Sequence, residues 1–104
     1  MQTKWYHYLL AFFAGVFLTN MLPHYINGIT GTPFPTPFAD PPGKGLSPPV
    51  MNVLWATINF VIGFSIFYFA GINKRKQWIW IAFFVGCLVM SFYLASYFGG
   101  LGAK

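Results

Sequence analysis

The chain contains few side chains that could bind a metal or carry out catalysis. They are two histidines, His7 and His24, one cysteine, Cys87, and one acidic residue, Asp40. Both histidines flank the same apolar run, one near each end of a helix about 27 Å long. They are therefore too far apart to bind one metal ion together, and we expect no metal centre.

His24 has two possible roles. It could be the single axial ligand of a haem or of a chlorophyll-type pigment, or it could take part in a hydrogen-bond network at the end of the first helix. Hydrogen bonding is the more common role of a lone histidine, so we expect no cofactor. Cys87 lies inside an apolar run without a basic neighbour, which does not favour a reactive thiolate.

The sequence lacks the residue patterns of the common catalytic sites. It has no Ser–His–acid set, no carboxylate pair, no HExxH motif and no phosphate-binding loop. Catalysis would have to pair Asp40 with His24 or Lys44, and all of these lie in or next to one loop. We therefore expect that the protein is not an enzyme and has no catalytic residues.

The composition shows which elements must carry these side chains. Hydrophobic residues make up 57% of the 104 positions and charged residues only 7%, whereas soluble domains have about 25% charged residues. Runs long enough to cross a bilayer cover residues 5–22, 50–72 and 78–98. The sequence thus predicts an all-α integral membrane protein with three transmembrane helices in a single domain, 1–104.

The positions of the basic residues predict the orientation of these helices. Lys74, Arg75 and Lys76 lie between the second and third runs, and Lys4 precedes the first. Since cytoplasmic loops are rich in Lys and Arg, we expect the N-terminus to be cytoplasmic and the C-terminus extracytoplasmic. No small-x-small cleavage site follows the first run, so we expect it to be a retained helix. The expected location is the cytoplasmic membrane of a bacterium, and the net charge of +5 does not predict a nucleic-acid partner.

A proline-rich extracytoplasmic loop, 23–49, is predicted between the first two helices. It holds all eight prolines of the chain. Pro23 should end or kink the first helix, 33–37 should be extended like polyproline II, and Ser47 should cap the second helix ahead of Pro48. The loop is either a linker fixed at the membrane interface or a docking surface. Its candidate docking residues are His24, Phe34, Phe38 and Asp40.

Small and polar residues recur at helical spacing in each run. Such stripes let helices pack closely in lipid, and asparagine adds hydrogen bonds between helices. Either all three stripes hold one chain together, or at least one of them faces another chain. The stripe residues are Ala11, Gly15 and Thr19 in the first run, Asn52, Ala56, Asn59 and Gly63 in the second, and Ser91, Ala95 and Gly99 in the third.

These observations favour a non-catalytic small membrane subunit. Its expected partners are the lipid bilayer and either a larger membrane protein complex or copies of itself in a homo-oligomer, with the loop as a docking strap. The alternative is a homo-oligomeric pore or transporter for a neutral or lipid-like solute, lined by Asn20, Asn52 and Asn59. In either case Asn59 lies near the middle of its helix and should find a protein partner, because lipid offers none.

Overall fold

Three helices, each long and apolar enough to cross a membrane, make up most of the fold. The computed structural model describes residues 2–102. Helix α1 spans Trp5–Ile29, α2 spans Pro49–Ala70 and α3 spans Ile79–Gly102. The 25 residues of α1 correspond to about 37 Å at 1.5 Å per residue. The prediction of a helical fold with three helices long and apolar enough to cross a membrane is confirmed, and such a fold is compatible with an integral membrane protein.

Helix α1 continues beyond Pro23 to Ile29, so Pro23 does not end the helix, which was one of the two effects predicted for this proline. Two side chains support the extra turns: Asn27 donates to the carbonyl of Pro23 at 2.7 Å, and Thr30 donates to that of Ile26 at 2.7 Å. Gly28 also packs closely against the first turn of α2. Local and tertiary contacts therefore outweigh the hydrogen bond that proline cannot make.

The start of α2 also differs from the prediction. Pro48 is the N-cap and Pro49 the first helical residue, with no side-chain cap. Two successive prolines suit this position, since neither has an N–H that would need a partner. Ser47 instead belongs to a short strand, where its hydroxyl lies 2.6 Å from that of Thr36.

Residues 71–78 close one end of the bundle, which we call the basic end. Gly71 ends α2 in the left-handed conformation (φ 64°), and a short 3-10 helix, Ile72–Lys74, follows. The Arg75 guanidinium donates to the carbonyls of Ala70 and Gln2, which brings this loop to the N-terminus of α1. There His7 accepts a hydrogen bond from the backbone N–H of Lys4 at 2.8 Å, so its ring caps α1.

Helix α1 packs along both α2 and α3, whereas α2 and α3 make few contacts with each other. Glycines bring α1 and α3 together. A Cβ atom on Gly86 would overlap the carbonyl oxygen of Phe12, and one on Gly15 would overlap that of Phe83. The backbones of these two helices are therefore in direct contact, which only glycine at both positions permits.

A small hairpin covers the opposite end, which we call the hairpin end. Strand β1, Phe34–Pro35, pairs antiparallel with β2, Leu46–Ser47. After Pro35 the chain turns, because the Thr36 hydroxyl accepts from the N–H of Phe38 and the Thr36 carbonyl accepts from that of Gly43 at 2.8 Å. The predicted polyproline-type segment is thus extended only up to this turn.

Candidate functional site

Asn52, in the first turns of α2, is the centre of a buried polar cluster at the hairpin end. Its side chain is fully buried. The amide nitrogen lies 3.0 Å from the carbonyl oxygen of Phe34, 3.2 Å from that of Ser47 and 3.3 Å from that of Pro48. Carbonyl oxygens only accept hydrogen bonds, so the NH₂ group must face them. Asn52 thereby ties both strands of the hairpin to α2.

The amide oxygen of Asn52 determines the tautomer of His24. It lies 2.8 Å from Nδ1 of His24. Because this oxygen can only accept, Nδ1 must carry the hydrogen, and Nε2 of the neutral ring keeps a free lone pair. The ring itself is only 3% exposed. The rings of Phe34, Trp55 and Phe98 stand edge-on to it, with centroids 5.5–6.5 Å away.

The hairpin contacts α2 and α3 as well as α1. Phe38 packs edge-on against Trp55 of α2 with ring centroids 5.0 Å apart, and Phe34 packs against Phe98 of α3 at 4.6 Å. The hydroxyl of Tyr97, also on α3, donates to the carbonyl of Gly43 at 2.6 Å. The hairpin is therefore fixed to all three helices.

The Tyr97 hydrogen bond provides a simple test of this attachment. Tyr97→Phe should lower the free energy of unfolding by about 0.5–1.5 kcal/mol, as expected for the loss of one hydrogen bond. It should also speed trypsin cleavage at the exposed Lys44, which follows Gly43 in the hairpin. Tyr93→Phe removes the hydroxyl of an exposed tyrosine one turn earlier and is the matched control. Equal cleavage rates in the two variants would mean that Tyr97 does not hold the hairpin.

The four predicted docking residues do not share one surface. His24 is buried and Phe34 is half-buried, and both face the bundle, whereas Phe38 and Asp40 are exposed. Within residues 2–102, no hydrogen bond joins the Asp40 side chain to His24 or to Lys44, the pairings that catalysis would have needed.

A second pair of amides, of which Asn20 is half-buried and Asn59 buried, lies deeper between α1 and α2. Asn20 donates from Nδ2 to the side-chain oxygen of Asn59 at 3.0 Å, and Asn59 donates to the carbonyl of Trp55 at 2.9 Å. Asn59 is almost fully buried. Asn59 thus has a protein partner, as expected from its position near the middle of the helix, and this partner is the Asn20 amide of the same chain.

Asn59→Leu should weaken the contact between α1 and α2 by about 0.5–2 kcal/mol, because the Asn20 amide loses its partner. Ile58→Leu changes an exposed side chain of the same helix and should have little effect. Thermal unfolding in mild detergent would compare the two. If both variants unfold at the wild-type temperature, the Asn20–Asn59 bond does not stabilise the bundle.

The three predicted stripes have different surroundings. All members on α1 and α2 are buried, whereas Ser91, Ala95 and Gly99 on α3 are exposed. Helix α3 faces α1 with other residues, among them Ile79 and Gly86, which are buried. Gly86 was not among the predicted packing residues, although a glycine inside an apolar helix is typical of close helix packing.

A cavity of about 210 Å³ lies under the hairpin, between the ends of the three helices. Its lining includes Asn20 and His24 from α1, Trp55 from α2, Tyr93 and Tyr97 from α3, and Thr36 from the hairpin. A larger cavity of about 350 Å³ lies between α1 and α2 and has a mainly apolar lining that includes Met21 and Phe60. Tyr97 and Thr36 were not predicted as site residues, because their contacts depend on the conformation of the loop.

The described part of the chain offers little for metal binding, since no three His, Cys, Asp or Glu residues in it come together. Cys87 is half-buried and lies against Gly15 in the contact between α3 and α1. The arrangement supports tight packing, a fixed hairpin and one oriented imidazole. Comparisons with protein-family models, with curated proteins and with solved structures found no match to this chain. A function for it must therefore be inferred from its sequence and this geometry.

Proposed function

We propose that the protein is a non-catalytic membrane subunit that docks through α3 against a larger membrane complex. The observation that carries this proposal is the exposure of Ser91, Ala95 and Gly99, which we call the small α3 face. The predicted stripe residues of α1 and α2 are all buried inside the bundle. A face of the same kind therefore remains open on α3.

The chemistry of the small α3 face suits another helix better than lipid tails. Helices associate in membranes mainly through close packing at small residues. The Ser91 hydroxyl donates to the carbonyl of Cys87 at 2.7 Å, so no donor there needs a partner. Only 11% of the apolar stretch of α3 is buried, against 22% in each of the other helices. The partner surface should accordingly be neutral, apolar and helical.

The pore hypothesis has less support from the geometry. Two of the three asparagines proposed to line it, Asn52 and Asn59, are buried and make their hydrogen bonds within one chain. Only Asn20 is partly accessible. Lining residues that face inward within each chain would not meet around an axis between copies.

The orientation and the bacterial location remain part of the proposal. The four cations Lys4, Lys74, Arg75 and Lys76 all belong to the basic end, where Arg75 bonds to Gln2. We expect this end to be cytoplasmic and the hairpin end extracytoplasmic. A reporter domain inserted at Asn73 should then be active only inside the cell, and one fused after residue 104 only outside. The reverse pattern would place the hairpin in the cytoplasm.

Gentle solubilisation of the tagged chain from its own membrane tests the docking proposal. A larger membrane protein should co-purify in fixed ratio with the wild type and be lost with Ala95→Leu, which fills the small α3 face. Ser96→Leu alters an exposed small residue beside that face and should retain the partner. A wild-type preparation in which the chain co-purifies only with copies of itself would support the homo-oligomer instead. A partner that stays bound to the Ala95→Leu variant would contradict docking through this face.

A further inference from the structure

The cavity under the hairpin has the features of a ligand site, and this inference does not depend on docking through α3. We propose that it binds a hydroxylated aromatic ring, of the phenol or hydroquinone class, whose hydroxyl donates a hydrogen bond to Nε2 of His24. Three features of the cavity support this proposal: its unpaired acceptor atoms, its volume and its aromatic walls.

Two acceptor atoms in the lining are available to a ligand. Among the described residues, Nε2 of His24 and Oδ1 of Asn20 have no hydrogen-bond partner. No buried side-chain nitrogen or oxygen in this part of the chain is left unpaired, so neither atom is fully enclosed by protein. Residues four apart share one helix face, and both Asn20 and His24 line the cavity.

The ligand therefore has to bring a donor. The hydroxyl of Tyr97, which could have filled that role from the protein side, is already bonded to the carbonyl of Gly43. None of the described residues lining the cavity is a lysine or an arginine, so it does not suit a carboxylate or a phosphate. A neutral hydroxyl is one group that can donate to an imidazole lone pair near an amide oxygen.

The size of the cavity limits the ligand to about one ring. A cavity of about 150 Å³ is large enough for benzene, and drug-sized ligands need about 300 Å³ or more. At about 210 Å³ the cavity accommodates a substituted six-membered ring and does not enclose a tetrapyrrole. Axial ligation of a haem or pigment by His24, the other role considered from the sequence, fits this space poorly.

The walls of the cavity favour a flat ring over an aliphatic alcohol. Trp55, Tyr93 and Phe98 line it, and aromatic rings pack favourably with one another in stacked or edge-on geometry. Because α2 and α3 make few contacts with each other, a hydrocarbon tail on such a ring could leave between them. A lipid-soluble hydroquinone combines these features.

Asn52 makes the site rigid before a ligand arrives. It holds Nδ1 of His24 while donating to carbonyls of the hairpin, so the orientation of the imidazole and the position of the hairpin are coupled. A receptor that is already ordered loses less entropy on binding.

Titration of the purified, isolated chain with three small probes tests the proposal. Phenol has both the aromatic ring and the hydroxyl donor, anisole has the aromatic ring without a donor, and cyclohexanol has the donor on a ring that is not aromatic. Phenol should shift the Nε2 nitrogen NMR signal of His24 saturably, and anisole should bind about tenfold more weakly, as expected for one lost hydrogen bond. Cyclohexanol binding as tightly as phenol, or phenol failing to saturate the signal, would overturn the proposal.

Two variants separate a binding role of these residues from a structural one. His24→Asn places an amide donor where Nδ1 was, so the bond to Asn52 is retained and Nε2 is lost. In this variant phenol should bind no better than anisole, as measured by calorimetry. Tyr93→Leu removes an exposed wall of the cavity and should weaken phenol and anisole by the same factor, with the preference for phenol unchanged. Wild-type phenol affinity in both variants would exclude this site.

Discussion

Replacing Gly86 with alanine is expected to lower the free energy of unfolding by about 1–3 kcal/mol, the usual range for overpacking a tight contact. The added methyl group would overlap the backbone carbonyl of Phe12, which cannot change rotamer to make room. Helices α1 and α3 must then move apart at this contact. Thermal unfolding in mild detergent, followed by circular dichroism, measures the loss.

Gly99→Ala is the matched control, because the same methyl group on the same helix meets no atom within 4 Å. It should unfold at or slightly above the wild-type temperature, since alanine favours the helix more than glycine does. If Gly86→Ala proves as stable as Gly99→Ala, the backbones of α1 and α3 are not in contact at Gly86.

Asn52→Leu should have the second large effect. The change removes the acceptor of His24 and the donor that serves the carbonyls of Phe34 and Ser47. Each buried polar group left without a partner costs about 1–3 kcal/mol. We expect a lower unfolding temperature together with rapid trypsin cleavage at Lys44, because the hairpin is no longer tied to α2.

Thr57→Val removes a polar group from an exposed position of the same helix and should leave both measurements at wild-type values. Asn52→Asp adds a second comparison. A carboxylate can still accept from His24 but cannot donate to the carbonyls, so this variant should also release the hairpin. Slow cleavage in both Asn52 variants would show that other contacts hold the hairpin.

The three helices could be predicted from the sequence because each is determined by the composition of its own segment. Long apolar runs with few charges identify α1, α2 and α3, and the burial of Asn52 and Asn59 agrees with the cost of leaving an amide in lipid. The end of α1 was mispredicted because Pro23 locally disfavours a helix. The contact of Gly28 with α2 stabilises the helix beyond Pro23, and this contact joins segments that are distant in the sequence.

The candidate site could be predicted only in part. His24 and Asn52 stood out by residue type, but their pairing joins residues on different helices, and nothing in either local sequence indicates it. The role of Thr36 depends on a turn, and that of Tyr97 depends on where the turn places the carbonyl of Gly43. For α3, the four-residue spacing of Ser91, Ala95 and Gly99 indicated a packing face but not which partner it would meet.

Docking through α3 is tested most directly by photo-crosslinking in the native membrane. A photoreactive amino acid in place of Leu88, a large exposed residue three positions before Ser91 on the same helix face, should crosslink to a second protein. The same group in place of the exposed Val89, which points away from that face, should react mainly with lipid. Mass spectrometry of the adduct would identify the partner as a larger membrane protein. Adducts with lipid alone at both positions would contradict the proposal that the small α3 face binds another chain.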